Sequence, residues 1–273
     1  MSPTPIYDPS TVSGAYQLRY SWTGWPSAKS FDQQLIELIE RTKPLWEEDG
    51  LRVLESRWTG ELVQILFSTK PNVSPVLLAA RVKGRLDHAL RAAHFQMEFS
   101  RKVSVRSVGD NTRDDVEGYL DSQVIQERFV DPRFAATMAE FTVANPRIDL
   151  AQPFESARGR YWYNLHVVLV VDGRYRVSDP QRLGLLRDGC SKIAAKKQHA
   201  ISRVSIMPDH LHLALRPTID EAPTDVVLAY QNNLAHMAGL GRLWSDGFYV
   251  GTFGEYTTQA VRIVNRPDGG GSG

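Results

Sequence analysis

Two histidines separated by a single residue are the clearest candidates for chemistry in this chain. His210 and His212 stand in the run Met-Pro-Asp-His-Leu-His-Leu-Ala-Leu, whose apolar residues are typical of a β-strand. Side chains two residues apart on a strand point to the same face, so the two imidazoles project side by side. Such a pair can bind one divalent cation and leave its other coordination positions open. The alternative is a pair of half-buried strand histidines that bind nothing.

A tyrosine and a glutamine one helical turn apart are the second candidate. Tyr119 and Gln123 end a helix that the sequence predicts over Thr112–Gln123. Residues four apart share a helix face, so both side chains can reach the same ion or phosphate. A phenol has a pKa of about 10 and needs a base or a metal to act as a nucleophile at neutral pH. The alternative role for Tyr119 is packing alone.

Together these motifs resemble the single-tyrosine HUH transposases of the insertion-sequence and REP-associated kind. The resemblance implies that His210 and His212 hold a divalent ion against a scissile phosphate, with Gln123 completing the metal site. It also implies that Tyr119 attacks single-stranded DNA and leaves a 5′-phosphotyrosine and a free 3′-hydroxyl. Mixed nitrogen and oxygen ligands suit Mg²⁺ or Mn²⁺, and the imidazoles favour Mn²⁺. Asp209, beside the pair, is placed either to orient a histidine or to form the turn before the strand.

The predicted elements occur in the same order in two parts of the chain. Each part runs strand–helix–strand–strand–helix–strand and ends in a small helix, which is the split βαβ or ferredoxin-like pattern. We therefore predict an α+β fold with two ferredoxin-like domains of the HUH type in tandem, forming an intramolecular pseudodimer. The predicted elements are Tyr16–Trp22, Phe31–Leu45, Leu51–Trp58, Leu62–Ser68, Pro75–Phe95, Val103–Val108 and Thr112–Gln123, then Tyr163–Val171, Pro180–Lys197, Ala200–Met207, His210–Leu215, Pro223–Met237, Phe248–Phe253 and Thr257–Val264.

The two parts differ in the chemical residues that they keep. In the first part, Leu62 and Gln64 occupy the positions of the two histidines. In the second part, the positions of the tyrosine and the glutamine fall on Val264 and Asp268. In the family that the chain resembles, the tyrosine helix of one subunit reaches the histidines of the other. A fused pair can therefore keep one complete site, with the tyrosine from the first part and the histidines from the second.

These assignments divide the chain into four segments. We predict a first transposase-like half over 1–123, a connector over 124–159 and a second half over 160–267. The connector is predicted to contain one short helix near Phe134–Phe141. Residues 268–273 are a tail or an artificial linker.

Basic residues of the first part are the candidate DNA contacts. The run Arg-Val-Lys-Gly-Arg resembles the family's basic helix and selects Lys83 and Arg85, while Arg106 lies on the strand before the tyrosine helix. The resemblance implies single-stranded or hairpin DNA as the partner. Each of these charges could equally belong to a solvated surface. The remaining histidines have no partner at ligand spacing and are expected to be structural or surface residues: His88, His94, His166, His199 and His236.

Composition limits the class of protein. The 273 residues carry a net charge of +1, which is low for a nucleic-acid enzyme, although a local basic face can coexist with an acidic one. No run is long and apolar enough for a membrane span, and the N-terminus has no apolar signal sequence. The single cysteine excludes a disulfide framework and a cysteine-based zinc site. We expect a cytoplasmic, nucleoid-associated bacterial or archaeal protein without membrane contact, a monomer that acts as an internal pseudodimer.

The predicted function is metal-dependent cleavage and strand transfer of single-stranded DNA, in transposition or in a domesticated host role. The first alternative is a catalytically silent DNA-binding protein that kept the fold, favoured by the near-neutral charge and by the degenerate half. The second is a histidine-based metal protein unrelated to DNA. A covalent DNA adduct that is lost in Tyr119→Phe would favour the enzyme over both alternatives.

Overall fold

The computed structural model describes residues 5–26, 33–58, 61–95, 98–127, 129 and 131–255. Within these ranges the chain forms two six-stranded sheets and six α-helices, an α+β architecture. The predicted helix Thr257–Val264 lies outside the described residues, as do Asp268 and Phe31, the predicted start of an earlier helix. None of the helices in the described ranges is long and apolar enough to cross a membrane.

The elements follow the predicted order with small shifts at their ends. The first part contains β1 (Ser13–Gln17), β2 (Arg19–Pro26), α1 (Gln33–Glu48), β3 (Leu51–Trp58), β4 (Val63–Thr69), α2 (Pro75–Ala92), β5 (Phe99–Val108) and α3 (Arg113–Gln126). The segment between the parts adds α4 (Pro132–Ala139), β6 (Thr142–Ala144), β7 (Phe154–Ser156) and β8 (Gly159–Trp162). The second part contains β9 (Leu165–Val171), α5 (Pro180–Lys197), β10 (Ala200–Ile206), β11 (His210–Arg216), α6 (Pro223–Ala238) and β12 (Trp244–Thr252).

The two sheets share one arrangement of their central strands. The first sheet has the order β3-β4-β2-β5-β8-β7 and the second has β1-β12-β9-β11-β10-β6. In each sheet, the central strands numbered along their own part run 4-1-3-2, and all of their pairings are antiparallel. This is the strand order of a split βαβ unit. It puts the histidine strand β11 in the interior of the second sheet.

Each sheet also receives a strand from outside its own part. Strand β1 pairs in parallel with β12 of the second sheet, and β8 pairs in parallel with β5 of the first. The predicted single strand Tyr16–Trp22 is therefore wrong, because the chain passes from one sheet to the other at Leu18. The strand predicted to begin at Tyr163 begins at Leu165 for the same reason. Alternation of side chains predicts a strand but not the sheet that it joins.

The segment between the parts is more ordered than the sequence suggests. Its helix α4 begins after Asp131, whose carboxylate caps Arg133 N, two residues before the predicted start at Phe134. Strand β6 pairs with β10, whereas β7 and β8 extend the first sheet. These strands have three or four residues, too few for alternation to reveal them.

The two halves are joined by a continuous core and by a backbone junction. Buried apolar residues from both sheets form one cluster. At the junction, Gly109 N donates to Gly254 O at 3.1 Å, and Gly254 N donates to Asn111 O at 3.2 Å. A Cβ at Gly109 would clash with the carbonyl oxygen of Thr252, and a Cβ at Gly254 would clash with that of Ser107, so glycine in both turns permits their close approach. Helix α3 begins directly after this junction.

Candidate active site

The two histidines of β11 lie side by side. His210 and His212 point to the same face, with their ring centroids 4.9 Å apart and their planes at 84°. The turn over Pro208 and Asp209 closes the hairpin from β10 to β11, and Met207 N donates to His210 O at 2.8 Å. The strand therefore begins at His210, and the alternation of the sheet places both imidazoles on one surface.

Each imidazole is held through its Nδ1 atom. Asp209 Oδ1 lies 2.6 Å from His210 Nδ1, and Arg174 Nη1 donates to the other carboxylate oxygen at 3.2 Å. His166 Nε2 lies 3.0 Å from His212 Nδ1, with the two rings stacked at 23°. These contacts leave the Nε2 atom of each ring of the pair as the nitrogen available to a cation, which is the arrangement that a histidine metal site requires.

Burial keeps the imidazoles of His166 and His212 neutral. Desolvation lowers the pKa of His166 to about 4. Desolvation, with the charges of His166 and His210, lowers the pKa of His212 to about 2. Burial alone would raise the pKa of the Asp209 carboxyl, but the hydrogen bonds and charges of His210 and Arg174 hold it below its usual value. Neutral imidazole is the form that binds metal ions, so His212 is in the binding form at neutral pH.

Tyr119 of the first part lies against these histidines. Its ring centroid is 5.6 Å from that of His212 at an interplanar angle of 84°, and 6.2 Å from that of His166 at 71°. The residue is 42% exposed, so it lies at the surface and is not enclosed by the sheet. The structure therefore brings together the phenol of one part and the imidazoles of the other.

Helix α3 reaches this position because both its start and its faces are fixed. Thr112 caps the helix and forms a reciprocal capping box with Asp115. Arg203 of β10 binds the face of α3 that carries Glu117 and Asp121, with Nε 2.9 Å from Asp121 Oδ1 and Nη2 3.6 Å from Glu117 Oε2. The two acids flank Tyr119 by two residues on either side. An ion-pair clamp thus holds the tyrosine helix on the second sheet.

Gln123 lies on the buried face of α3. It is 4% exposed, and it shares that face with Val116 and Leu120, which contact Ala214 of β11. Its Nε2 donates to Tyr119 O at 3.3 Å, one turn earlier on the same helix. In the described part of the chain, no three His, Cys, Asp or Glu side chains cluster as a metal site. A cation held by the two histidines would therefore need an amide or substrate oxygen as well.

His166 is the residue of this site that the sequence did not reveal. We expected it to be a structural or surface histidine, and instead its ring bonds to His212 and lies 5.8 Å from the ring of Tyr249. His166 stands opposite Ala214 on the neighbouring strand, two residues from His212. A diagonal contact between strands depends on the register of the pairing, which spacing along one strand does not show.

The predicted DNA contacts have intramolecular partners. Lys83 Nζ donates to Ser100 O at 3.0 Å, and Arg85 Nε lies 3.1 Å from Asp49 Oδ2. The guanidinium of Arg106 stacks 4.4 Å over the ring of Trp162. Of the three, Arg106 presents a cation stacked on an aromatic ring, an arrangement that nucleic-acid-binding surfaces use.

The position that corresponds to the histidines in the first sheet has a different chemistry. Gln64 is 2% exposed, and its Nε2 donates to Ser21 Oγ at 2.9 Å. Leu62 is also buried. An apolar side chain and a satisfied amide offer no ligand pair for a cation.

Comparison with known proteins identifies the second part. Residues 160–263 match the family described as transposase IS200 like. These residues include both histidines of the site. We call residues 160–263 the transposase region, because they are similar to this family. Tyr119 lies outside this transposase region, in the part of the chain that the family match does not cover.

Individual relatives of the transposase region are themselves transposases. The chain is 28% identical over 124 residues to the ISDra2 transposase TnpA of Deinococcus radiodurans, across 40% of this chain and 89% of the relative. A solved transposase from the same organism is 22% identical, with a TM-score of 0.32, over 37% of this chain and 86% of the other. A REP-associated tyrosine transposase, solved with a REP hairpin, is 16% identical, with a TM-score of 0.30, over 37% and 61%.

Proposed function

We propose that this protein cleaves and rejoins single-stranded DNA, with Tyr119 as the nucleophile and the histidines of the transposase region as the metal ligands. The observation that carries the proposal is the contact between the ring of Tyr119 and that of His212, at a centroid distance of 5.6 Å. The two residues come from different parts of the chain, Tyr119 from helix α3 and His212 from strand β11. Tyr119 is also 42% exposed, so it is not buried against these imidazoles.

The proposal includes a fused pair of transposase-like domains that share one working site. It is supported by the 4-1-3-2 strand order of both sheets and by the reciprocal addition of β1 and β8. The two glycine turns, at Gly109 and Gly254, meet at the junction between the halves. In this arrangement the second site has lost its histidines to Leu62 and Gln64. The pair acts as a monomer, with halves over 1–123 and 160–267 and a connector over 124–159.

The residues divide the work as follows. His210 and His212, with Gln123 Oε1, would hold Mg²⁺ or Mn²⁺, which supplies positive charge to the non-bridging phosphate oxygens. Asp209 orients His210 from the far side of its ring. Tyr119 Oη would give up its proton to solvent and attack the phosphorus. The bond from phosphorus to the 3′ oxygen would break, and that oxygen would take up a proton from solvent and leave as a 3′-hydroxyl. The phosphodiester energy is kept in the tyrosine ester, so a second 3′-hydroxyl can reverse the step.

In this proposal, a local surface of the protein recognises the DNA. Arg106, stacked on Trp162, is the candidate contact that combines a cation with an aromatic ring. Lys83 and Arg85 would have to exchange their bonds to Ser100 and Asp49 for bonds to phosphate. We expect single-stranded or hairpin DNA as the substrate in a cytoplasmic setting.

A catalytically silent DNA-binding protein is the second candidate. It is favoured by the net charge of +1 and by the degenerate histidine positions of the first sheet. It predicts DNA binding without chemistry.

A trapping experiment decides between these candidates. The protein is incubated with a pool of hairpin oligonucleotides that carry single-stranded flanks and a 3′ label, in Mn²⁺, and denatured in detergent. The proposed reaction leaves the labelled 3′ fragment on the protein, and Tyr119→Phe abolishes it. Tyr16→Phe is the matched control, since Tyr16 has a similar exposure of 47%. Retention of the oligonucleotides without a covalent product in wild type would support the silent protein instead.

A further inference from the structure

We propose that His166 is a positioning residue that fixes the tautomer and the ring orientation of His212. This inference rests on the proposed metal site and names a member of it that neither the motif nor the family match assigns. His166 would not bind the cation itself. Its role is to accept a hydrogen bond from the nitrogen of His212 that faces away from the cation.

The geometry of the two rings carries this role. His166 Nε2 is 3.0 Å from His212 Nδ1, which is hydrogen-bond distance, and the rings are stacked at 23° with centroids 5.3 Å apart. A ring nitrogen of a neutral imidazole is either a donor or an acceptor. When Nε2 of His212 offers its lone pair to a cation, Nδ1 must carry the proton. His166 Nε2 is then the acceptor, and His166 carries its own proton on Nδ1.

The same contact excludes His166 as a ligand of the same cation in this arrangement. The nitrogen nearest to the site, Nε2, is occupied by the bond to His212. His166 is also wedged between the rings of Tyr119 and Tyr249, at centroid distances of 6.2 and 5.8 Å. Its ring is therefore fixed on two sides by aromatic contacts, which is what a residue that fixes another ring requires.

The two histidines of the pair are thus oriented by different chemistry. His210 has a carboxylate, Asp209, which is bound by Arg174 in turn. His212 has a neutral imidazole. Residues that orient a metal-binding histidine in this way typically contribute 10–100-fold, as an order-of-magnitude estimate, to metal affinity. We therefore expect an effect of this size when the acceptor at position 166 is removed.

The test uses variants that separate an acceptor from a packed ring. His166→Phe keeps the aromatic contacts and removes the acceptor, whereas His166→Gln supplies a side-chain oxygen at a similar reach. His236→Phe, at an exposed position on α6, is the control for loss of a histidine. Mn²⁺ is titrated into the full-length protein without DNA, with free Mn²⁺ followed by electron paramagnetic resonance. Thermal unfolding of each variant checks that it folds.

The expected ranking is specific. Wild type, His236→Phe and His166→Gln bind Mn²⁺ with similar affinity, His166→Phe binds it about 10–100-fold more weakly, and His210→Ala/His212→Ala does not bind it. The inference is overturned if a folded His166→Phe binds like wild type, or if His166→Gln is as weak as His166→Phe, which would make His166 a ligand. It is also overturned if wild type binds no better than the double variant.

Failure of the proposed function gives a different result. If wild type shows the expected ranking for Mn²⁺ but forms no covalent DNA product, the DNA chemistry is wrong and the role of His166 stands. If the covalent product forms but the variants do not follow this ranking for Mn²⁺, the DNA chemistry stands and the role of His166 is wrong.

Discussion

The ring of Tyr119 lies 5.6 Å from the ring of His212, edge-on at 84°, although Tyr119 is on helix α3 of the first part and His212 is on strand β11 of the second. This contact depends on the position of α3. The helix starts at the junction where Gly109 meets Gly254, and Arg203 holds it against β10. A change at either place should therefore act on the tyrosine without touching the histidines.

The clamp on the tyrosine helix gives a first prediction. Arg203→Ala removes the ion pairs with Asp121 and Glu117. The side chains of Arg203 and Glu117 are mostly buried, at 18% and 15% exposure. We expect α3 to dock less often and the rate of covalent product formation to fall roughly tenfold, which corresponds to about 1.4 kcal/mol. Binding of Mn²⁺ should not change, because the histidine contacts are intact.

The control for this prediction is Arg187→Ala, which removes an ion pair with the adjacent Asp188 on α5. Quantified adduct yields over time, together with Mn²⁺ titration, make the comparison. Equal rates for Arg203→Ala and wild type would show that the ion pairs do not position the helix.

The glycine junction gives a second prediction. Gly109→Ala puts a Cβ against the carbonyl oxygen of Thr252, a rigid backbone neighbour, so the two turns must separate. Overpacking of this kind costs about 1–3 kcal/mol. We expect the free energy of unfolding in urea to fall by that amount and the adduct yield to fall with it.

Gly118→Ala is the matched change on the same element. Gly118 lies inside α3, next to Tyr119, and an added Cβ meets no atom within 4 Å. Alanine is the better helix former by about 1 kcal/mol, so this variant should be at least as stable as wild type. A Gly109→Ala protein as stable as Gly118→Ala would contradict the close approach of the two turns.

The sequence predicted some residues of this site and not others. The spacing of His210 and His212 on a strand, and of Tyr119 and Gln123 on a helix, gave the chemistry of the candidate site. The complementary losses in the two parts gave the expectation that these groups meet, and the structure places Tyr119 beside the histidines. The sequence also predicted the order of helices and strands, since apolar periodicity distinguishes a helix from a strand.

What the sequence did not reveal depends on which strands become neighbours. His166 reaches His212 only through the register of β9 on β11. The sequence also does not show that β1 joins the second sheet, because Leu18 divides a run of residues that alternates throughout. In the sequence, Arg203 does not differ from many other surface cations. The packing of α3 pairs it with Asp121.

A half-buried ionic network around Glu221 in the second half gives a prediction on pH. Burial would raise the pKa of Glu221, but hydrogen bonds and charges from His199 and Lys197 outweigh it and lower the pKa from 4.5 to about 2. A carboxyl with a depressed pKa in the folded state stabilises it above the unfolded pKa. That stability is lost as the pH falls from 4.5 toward 2. The shift corresponds to roughly 3 kcal/mol.

Glu221→Gln should therefore lower the free energy of unfolding at pH 6 by at most about 3 kcal/mol, because solvent screens the exposed Lys197 partner. The difference from wild type should narrow as the pH is lowered below about 4.5. Urea denaturation at a series of pH values measures both quantities, with Glu140→Gln as an exposed control. A difference that stays constant down to pH 3 would exclude the ionised carboxylate as its source.

Orientation of the other histidine gives a further prediction. Asp209→Asn keeps the shape of the side chain but replaces a charged acceptor with an amide, which weakens its hold on His210 and its bond to Arg174. We expect Mn²⁺ affinity to fall by about 10-fold or more. Asp188→Asn, at an exposed position on α5, is the control. Unchanged affinity in Asp209→Asn would assign this carboxylate to the turn alone.

The central claim is that Tyr119 becomes covalently joined to DNA, and peptide mapping of the trapped protein tests it most directly. After nuclease and trypsin digestion, the tryptic peptide 114–128 should carry a nucleotide on Tyr119, the only tyrosine that it contains. His210→Ala/His212→Ala protein should show the unmodified peptide. A nucleotide on any other tyrosine, or an unmodified peptide 114–128 in wild-type protein that has cleaved the oligonucleotide, would contradict the account.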